Sequence, residues 1–328
     1  MREAAPVLEI LIDNKNGNVW NVSEIAEGLT WTTTRVGRPA EVEFTLVNSG
    51  IYQDRSFTVE NGDIVRVRMG DTGLFYGYVF SIKQNQDSRL SIKAYDQVRY
   101  LLNKNTYVFK NVTTGDVIRT IAADFNLKVG RIDETGYRIP SMVEDGQTLL
   151  DIIEKANTLT MFNTNRFYVF FDDFDELSLR DVTSFVAGFM IGDASLLTGF
   201  EYGRDIDQDT YNRIKLYRDN QDTGKREVYM IQDSANIARW GVLQLYQSIE
   251  GDKNTAQIDE MLNQLARLKN REQRTLSLTC IGDIRVRSGM YLPVMISSLG
   301  INQPMMVDEV RHRFNGSEHT MDITLKVI

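Results

Sequence analysis

Two stretches near opposite ends of the chain are spaced alike. Val79 leads through a turn at Asn85 to Ile92, and Val310 leads through Asn315-Gly316 to Ile323, thirteen residues in each case. Upstream, Gly62 precedes the first pair of strand-like runs and Gly289 the last, with a longer loop between Gly289 and Val310. A duplicated small barrel produces this pattern, and so do two unrelated hairpins of ordinary length. With 328 residues the chain exceeds what one hydrophobic core usually organises, so roughly two to four packing units are expected.

Composition narrows the class. Hydrophobic residues at 42% and charged residues at 25% exclude a largely disordered or collagen-like chain. Lysine plus arginine total 37 against 45 aspartates and glutamates, a formal charge of −8 and the wrong sign for tracking phosphate backbones. Sequence-specific nucleic-acid binding is therefore not expected. The lone Cys280 has no intrachain disulfide partner, so stability must come from packing or from partners. The most apolar run, Phe185 to Ile191, is far short of the ~20 residues of a spanning helix and reads as a buried strand. Glu9 and Asp13 interrupt the apolar amino terminus (Val7, Leu8, Ile10, Leu11, Ile12), and no small-residue cleavage site follows. The chain is expected to be made and kept in the cytoplasm, or released by lysis, and no membrane is implied.

Residues 7–94 are rich in β-branched and aromatic types, punctuated at residues 14–17, 48–50, 61–62 and 71–73, which predicts short antiparallel strands. Gly77, set among Phe75, Tyr76, Tyr78, Val79 and Phe80, marks a bend or a close approach. Asp96 caps a helix carrying Val98, Leu101 and Leu102. The period then changes. Val117, Ile118, Ile121, Ala122 and Phe125 stripe one helix after Thr114, and Leu149, Leu150, Ile152, Ile153, Ala156 and Leu159 stripe a second. Strands at 166–171 and 176–179 join through the acidic turn 172–175, completing an α+β insert. Strands at 212–217 and 227–231 flank a polar turn at 219–225. Ser234 caps a helix with Ile237, Trp240 and Leu243, and Ile258, Met261, Leu262, Leu265 and Leu268 stripe another that docks on its own domain or on a neighbour. Residues 275–328 are β again.

Candidate chemistry is sparse. Gly70, Gly73 and Gly77 fit neither phosphate-loop spacing and read as hairpin glycines. Asp205, Asp207 and Asp209 open like a calcium loop, but Thr210 stands where glycine belongs and Leu216 where glutamate belongs, so a solvated loop is expected. Asp172, Asp173, Asp175 and Glu176 supply carboxylates, yet they crowd one turn and read as an exposed, self-repelling loop rather than a glycosidase pair. A serine or cysteine nucleophile needs a histidine base, and only His312 and His319 exist. A two-residue turn at Asn315-Gly316 pairs them across strands as a weak metal candidate, although three ligands are the norm; a packed or interfacial pair is favoured. Arg66 with Arg68, Arg285 with Arg287, and Arg311 with Arg313 occupy alternate positions of predicted strands, so each pair shares a face. Stacking aromatics do not interleave them as in an RNA-binding sheet, and interchain salt bridges or an exposed barrel face are expected instead. No cofactor is implied.

Read in order, several stretches resemble the baseplate hub proteins of contractile phage tails and phage-tail-like bacteriocins, the XkdQ/YqbQ type related to late control protein D. They are Asn61-Gly62-Asp63 with Phe75-Tyr76-Gly77, Ala94-Tyr95-Asp96, Thr114-Gly115-Asp116-Val117-Ile118, residues 237–244 (IARWGVLQ), 269–278 (KNREQRTLSL), 284–289 (IRVRSG), and 310–320 with both histidines. The resemblance covers nearly the whole chain and lies in the order of motifs that are each loose. It implies an α+β, mainly β fold with two similar antiparallel β-barrel tube domains from the two ends of the chain, joined by small α+β domains. The boundaries it suggests are 1–105 for the first tube barrel, open to completion by later strands, and 106–198 for the α+β insert. Residues 199–232 with 273–328 then form the second barrel, and 233–272 a helical insertion. It further implies a non-enzymatic homotrimer whose six barrels adapt a hexameric tail tube to a trimeric central spike, with tape measure and baseplate wedge proteins as further partners. A cell-wall-degrading hub enzyme and a monomeric carbohydrate- or peptide-binding β module are the alternatives. Edge strands within residues 20–80 and 275–328 are expected to face adjacent subunits.

Overall fold

The computed structural model describes residues 7–47, 57–87, 89–220, 224–249 and 254–326. The turn signal at 48–50, and residues 221–223 of the one at 219–225, lie outside the described residues. The chain forms two compact units, Met1–Phe200 with Ser277–Lys326, and Glu201–Leu276. The fold is α+β and mainly β.

The first unit opens with β1 (Leu8–Asp13), β2 (Val19–Asn21), β3 (Ala26–Thr34), β4 (Glu41–Val47), β5 (Ile64–Met69), β6 (Thr72–Gln84) and β7 (Arg89–Tyr95). Alternation sets the inner face: Val65 and Val67 of β5 are fully buried, while Arg66 and Arg68 point to the other side. Gly77 is the close approach read from the sequence, because a Cβ there would lie 2.3 Å from the Tyr95 carbonyl oxygen.

A 3-10 helix, Gln97–Leu102, follows with Asp96 as its cap, accepting from the Val98 N–H. The insert then runs β8 (Lys104–Val112), α1 (Thr114–Asp124), β9 (Val129–Ile132), β10 (Ile139–Thr148), α2 (Leu149–Thr164), β11 (Tyr168–Asp172) and β12 (Leu177–Asp181). Its core gathers Val117, Ile118 and Ile121 of α1 with Leu149, Ile152 and Ile153 of α2, which are the two stripes read from the 3.6-residue period. Thr113 and Asp116 form a reciprocal capping box at the start of α1. Thr113→Ala should cost about 1 kcal/mol, seen as a lower urea midpoint with an unchanged slope.

Next come β13 (Ile191–Gly192) and β14 (Leu197–Asp205). The buried strand expected at Phe185 to Ile191 forms only in pieces: Val186 makes an isolated parallel bridge to Tyr291 and Ile191 with Gly192 pairs with β19, while Val186 is 48% and Met190 43% exposed. A continuous apolar run carries no alternation to set a face. Here Phe185 is spent on stacking against Phe171, with ring centres 5.5 Å apart.

The second unit holds β15 (Arg213–Asn220), β16 (Lys225–Gln232), α3 (Ser234–Trp240), β17 (Gln244–Ser248) and α4 (Thr255–Lys269). β16 and β17 flank β15, antiparallel and parallel respectively. Residues 213–232, expected to belong with the second barrel, thus supply two strands of a separate three-stranded sheet that β17 completes. Ile258 and Leu262 of α4 bury against Ile214 and Leu216, so this stripe docks on its own unit. Asp233, not Ser234, caps α3, accepting from the N–H groups of Ala235 and Asn236.

The chain ends with β18 (Gln273–Ile281), β19 (Tyr291–Ile296), β20 (Ile301–Asn315) and β21 (Glu318–Lys326). Strand neighbours now reveal the repeat. The amino-terminal order is β1-β5-β6-β7-β4-β3 and the carboxy-terminal order is β13-β19-β20-β21-β18-β14, the same path taken twice. Gly62 N–H donates to the Val79 carbonyl at 2.8 Å, and Gly289 N–H to the Val307 carbonyl at 2.8 Å. Val79 N–H returns to Asp63 and Val307 N–H to Met290, at 2.9 and 3.0 Å. A β-bulge follows at the same place in each copy, between Val79 and Ser81 and between Val307 and Glu309. The modules are twins. The spacing is corrected at its first member: Ile92 and Ile323 do correspond, but Ile82 pairs with Ile92 as Val310 pairs with Ile323, so Val79 matches Val307. The second hairpin is simply longer at its tip.

Gly62 and Gly289 both hold φ near +90°, at +94° and +83°. A Cβ at Gly62 meets nothing within 4 Å, so Gly62→Ala isolates the backbone cost, about 1–2 kcal/mol, measurable as a lowered melting temperature. The twins differ in two respects: β1 pairs antiparallel with β5 whereas β13 pairs parallel with β19, and the connection between the strands at the other end of each path differs in length. Residues 35–40 join β3 to β4, whereas the whole stretch 206–272 joins β14 to β18.

Candidate functional site

The twins meet where β3 pairs antiparallel with β20, from Glu309↔Thr34 to Phe314↔Leu29. This junction joins residues more than 270 positions apart and makes one sheet of both ends of the chain. Leu29 and Trp31 are each only 2% exposed there.

Both histidines sit at this junction. Asn315 pairs with Glu318, so the hairpin turns at Gly316 and Ser317, one residue later than the sequence reading placed it. The left-handed position falls on Gly316, at φ +60°. His312 therefore faces Met321 and His319 faces Phe314, and the imidazoles meet diagonally on one face, His312 Nδ1 to His319 Nε2 at 3.0 Å. His312 is fully buried, stacked on Trp31 with ring centres 4.9 Å apart, and its Nε2 lies 2.9 Å from the Val286 carbonyl oxygen. A carbonyl only accepts, so His312 Nε2 carries the proton, and its Nδ1 accepts from His319 Nε2. Burial pushes His312 down to about 4 and lowers His319 as well. The facing nitrogens are spent on each other, and no group of three metal-ligating side chains occurs among the described residues.

Beside the histidines lies a charged cluster that the sequence reading placed in solvent. Asp172 and Asp175 are 3% and 6% exposed. Asp172 accepts from Gln97 Nε2 at 2.6 Å and from the Asp175 N–H at 2.9 Å. Asp96 accepts from the N–H groups of Ala40 and Val98. Arg287 donates to the Asp172 carbonyl, lies 3.5 Å from Asp173, and stacks over Phe171 with its guanidinium 4.4 Å from the ring centre. Burial raises Asp172 to about 6 and holds Asp96 well above the carboxylate range, and it lowers Arg287. Left-handed backbone at Phe174 and Asp175 folds the acidic turn inward. Ser288 N–H reaches Thr33 Oγ1 at 3.1 Å, so the cluster ties β3, the insert and the second module together.

The other arginines are distributed around this core. Arg66 pairs with Asp13 and Arg68 lies over Phe174, both from β5. Arg311 Nε is 3.3 Å from Thr32 Oγ1, and Arg313 pairs with Asp322, both from β20. Arg285 and Arg287 do not share a strand face as expected. Residues 282–290 form a loop, in which Asp283 accepts from both the N–H and the guanidinium of Arg285. Trp31 was missed from sequence, and its one signal is a lone large aromatic within a threonine-rich strand. In the second unit Asp209 pairs with Lys269. There, stretches 237–244 and 269–278 converge on a groove of about 410 Å³ lined by Arg239, Trp240, Arg271 and Arg274.

The YQBQ-like family model matches residues 29–326. The chain belongs to the YQBQ-like family. It is 32% identical over 302 residues to phage-like element PBSX protein XkdQ of Bacillus subtilis (strain 168), covering 91% of each chain. Among solved structures, the YQBQ-like chain resembles the 43 kDa tail protein of prophage MuSo2 from Shewanella oneidensis, with a TM-score of 0.72, 13% identity, and coverage of 97% and 98% of the two chains. A tail protein from Neisseria meningitidis MC58 gives a TM-score of 0.69 at 13% identity over 99% and 97%. These likenesses establish a shared fold.

Proposed function

We propose that this YQBQ-like protein is a non-enzymatic structural hub in the baseplate of a contractile phage tail or tail-like particle. In this reading it is a homotrimer whose two twin modules per chain surround the tail axis as a pseudo-sixfold ring. That ring mates with the hexameric tail tube on one side and the trimeric central spike on the other. Tape measure and baseplate wedge proteins are its further partners, and assembly takes place in the host cytoplasm before release by lysis.

The observation that carries this reading is the repeated module, with the same strand order, glycine turn and bulge in each copy. Two copies in tandem turn a threefold arrangement into six similar units without any chemistry. The relative in a phage-like element and the two tail proteins of the same fold support placing the chain in a tail. The buried cluster fits a structural role as well, because Arg287, Asp172 and the histidines are committed to one another at the junction.

Co-expression with the spike protein of the same element, followed by light scattering and electron microscopy, tests the proposal. A complex with three copies on the tail axis is expected. A chain that stays monomeric with the spike present, or that turns over peptidoglycan, rejects it.

A further inference from the structure

The twin modules are not equally covered at their edges. In the second module the far half of β20 is paired on both sides, with β21 on one edge and β3 on the other. In the first module the matching half of β6, Ser81 to Gln84, pairs with β7 on one edge and has no strand on the other among the described residues. The counterpart of β3 is β14, which ends the sheet with β18 as its one neighbour among the described residues. Among the described residues, each chain therefore holds one completed β3–β20 junction and the two unmated halves of a second.

The repeat fixes how those halves match. Ile82 corresponds to Val310 and Ser81 to Glu309, from the shared bulge. On the other side, a Cβ at Gly203 would lie 2.6 Å from Thr275, and one at Gly199 would lie 4.0 Å from Thr279, which sets β14 opposite β18. That register places Phe200, Tyr202 and Gly203 where β3 has Leu29, Trp31 and Thr32. Leu29 and Trp31 are 2% exposed inside the completed junction, while Phe200 in the unmated strand is 42% exposed. The same position is buried in one copy and bare in the other.

We propose that β14 of one chain adds antiparallel to the free edge of β6 in a second copy, repeating the β3–β20 junction between subunits. Transferring the β3–β20 register pairs Ser81 with Asp205, Ile82 with Arg204 and Lys83 with Gly203. Lys83 then lies across from a glycine, flanked diagonally on the same face by Glu201 and Asp205, so its ammonium meets two carboxylates. An unmated strand edge takes up another strand readily, and here the partner's sequence and register are already present in the chain. The contact is head-to-tail, so it builds a ring where the rotation between copies closes and never a two-fold pair. The ring size of three rests on the hub reading above.

Cysteine pairs in the full-length chain provide the test. Directly opposed residues of antiparallel strands lie about 4.5–5.5 Å apart at Cα, within disulfide reach. Ser81→Cys combined with Asp205→Cys should link oxidised chains into covalent dimers and trimers on a non-reducing gel, in concentrated protein and in particles. Either single variant should not. Ser81→Cys with Gly199→Cys, about 20 Å out of register, should not link either. Lys83→Glu should reduce the linked yield, and adding Glu201→Lys and Asp205→Lys to it, with Ile82→Cys and Arg204→Cys as the linking pair, should restore it. Three copies on the tail axis that fail to link through Ser81→Cys and Asp205→Cys overturn the junction and leave the hub reading intact. Linked rings found away from any tail would overturn the hub reading and leave the junction.

Discussion

Arg287→Met should destabilise the folded chain by about 3–5 kcal/mol at pH 8, and by clearly less near pH 5. Methionine retains most of the packing volume but removes the positive charge beside Asp172, Asp173 and Asp96. Asp172 already sits at about 6, above the ordinary carboxylate value of 3.8, because burial favours its neutral form. A carboxyl raised in this way costs stability progressively as pH rises from 3.8 through 6, since only the unfolded chain releases its proton freely. Without Arg287 the folded value moves higher, so the window of cost extends upward and the variant suffers most in base. Urea unfolding of parent and variant at the two pH values measures the difference. An equal loss at both would show that Arg287 acts through packing alone.

Acidification should act on the histidine pair in the opposite direction. Above pH 6.5 His312 is neutral whether folded or unfolded. Between 6.5 and about 4 only the unfolded chain takes up the proton, so stability falls as pH falls. The loss through His312 alone should approach about 3 kcal/mol, since each tenfold change in proton affinity is worth about 1.4 kcal/mol, and His319 adds to it. Asp172 gains stability over part of the same range, so the comparison must be differential. The double variant His312→Gln, His319→Gln cannot titrate and should lose this acid slope, so its stability relative to the parent should rise as pH falls from 6.5 to about 4. NMR titration of His312 should show no protonation above about pH 5. A midpoint near 6.5 would mean that the ring is not held neutral at the junction.

The sites differ in how far they could be read from sequence. The hairpin carrying His312 and His319 was legible, as was their shared face, because strand alternation and an Asn-Gly signal are local. The turn itself was misplaced by one residue, since Asn315 and Gly316 both tolerate turn geometry and only the pairing of Asn315 with Glu318 chooses between them. The acidic turn 172–175 was misread for a different reason. Four neighbouring acids in a sequence mean a solvated loop unless a distant cation and distant amides arrive, and here Arg287 and Gln97 come from elsewhere in the chain.

From the sequence alone one could know that the chain is mainly β, where most of the helices begin, which faces they bury, and that each end carries a hairpin, with copies and unrelated hairpins both open. Each of these rests on periods of two or 3.6 residues, on caps such as Asp96, or on glycines such as Gly62, all acting within a few positions. Tertiary structure alone decided that β3 lies against β20, that residues 213–232 leave the terminal sheet, and that Asp172 and Asp175 are buried. Backbone edges of strands present the same N–H and C=O groups whatever their side chains, so a sequence does not announce which edge meets which. That choice is made when all the strands compete for partners, and it leaves β14 and the far half of β6 unmated within the described chain.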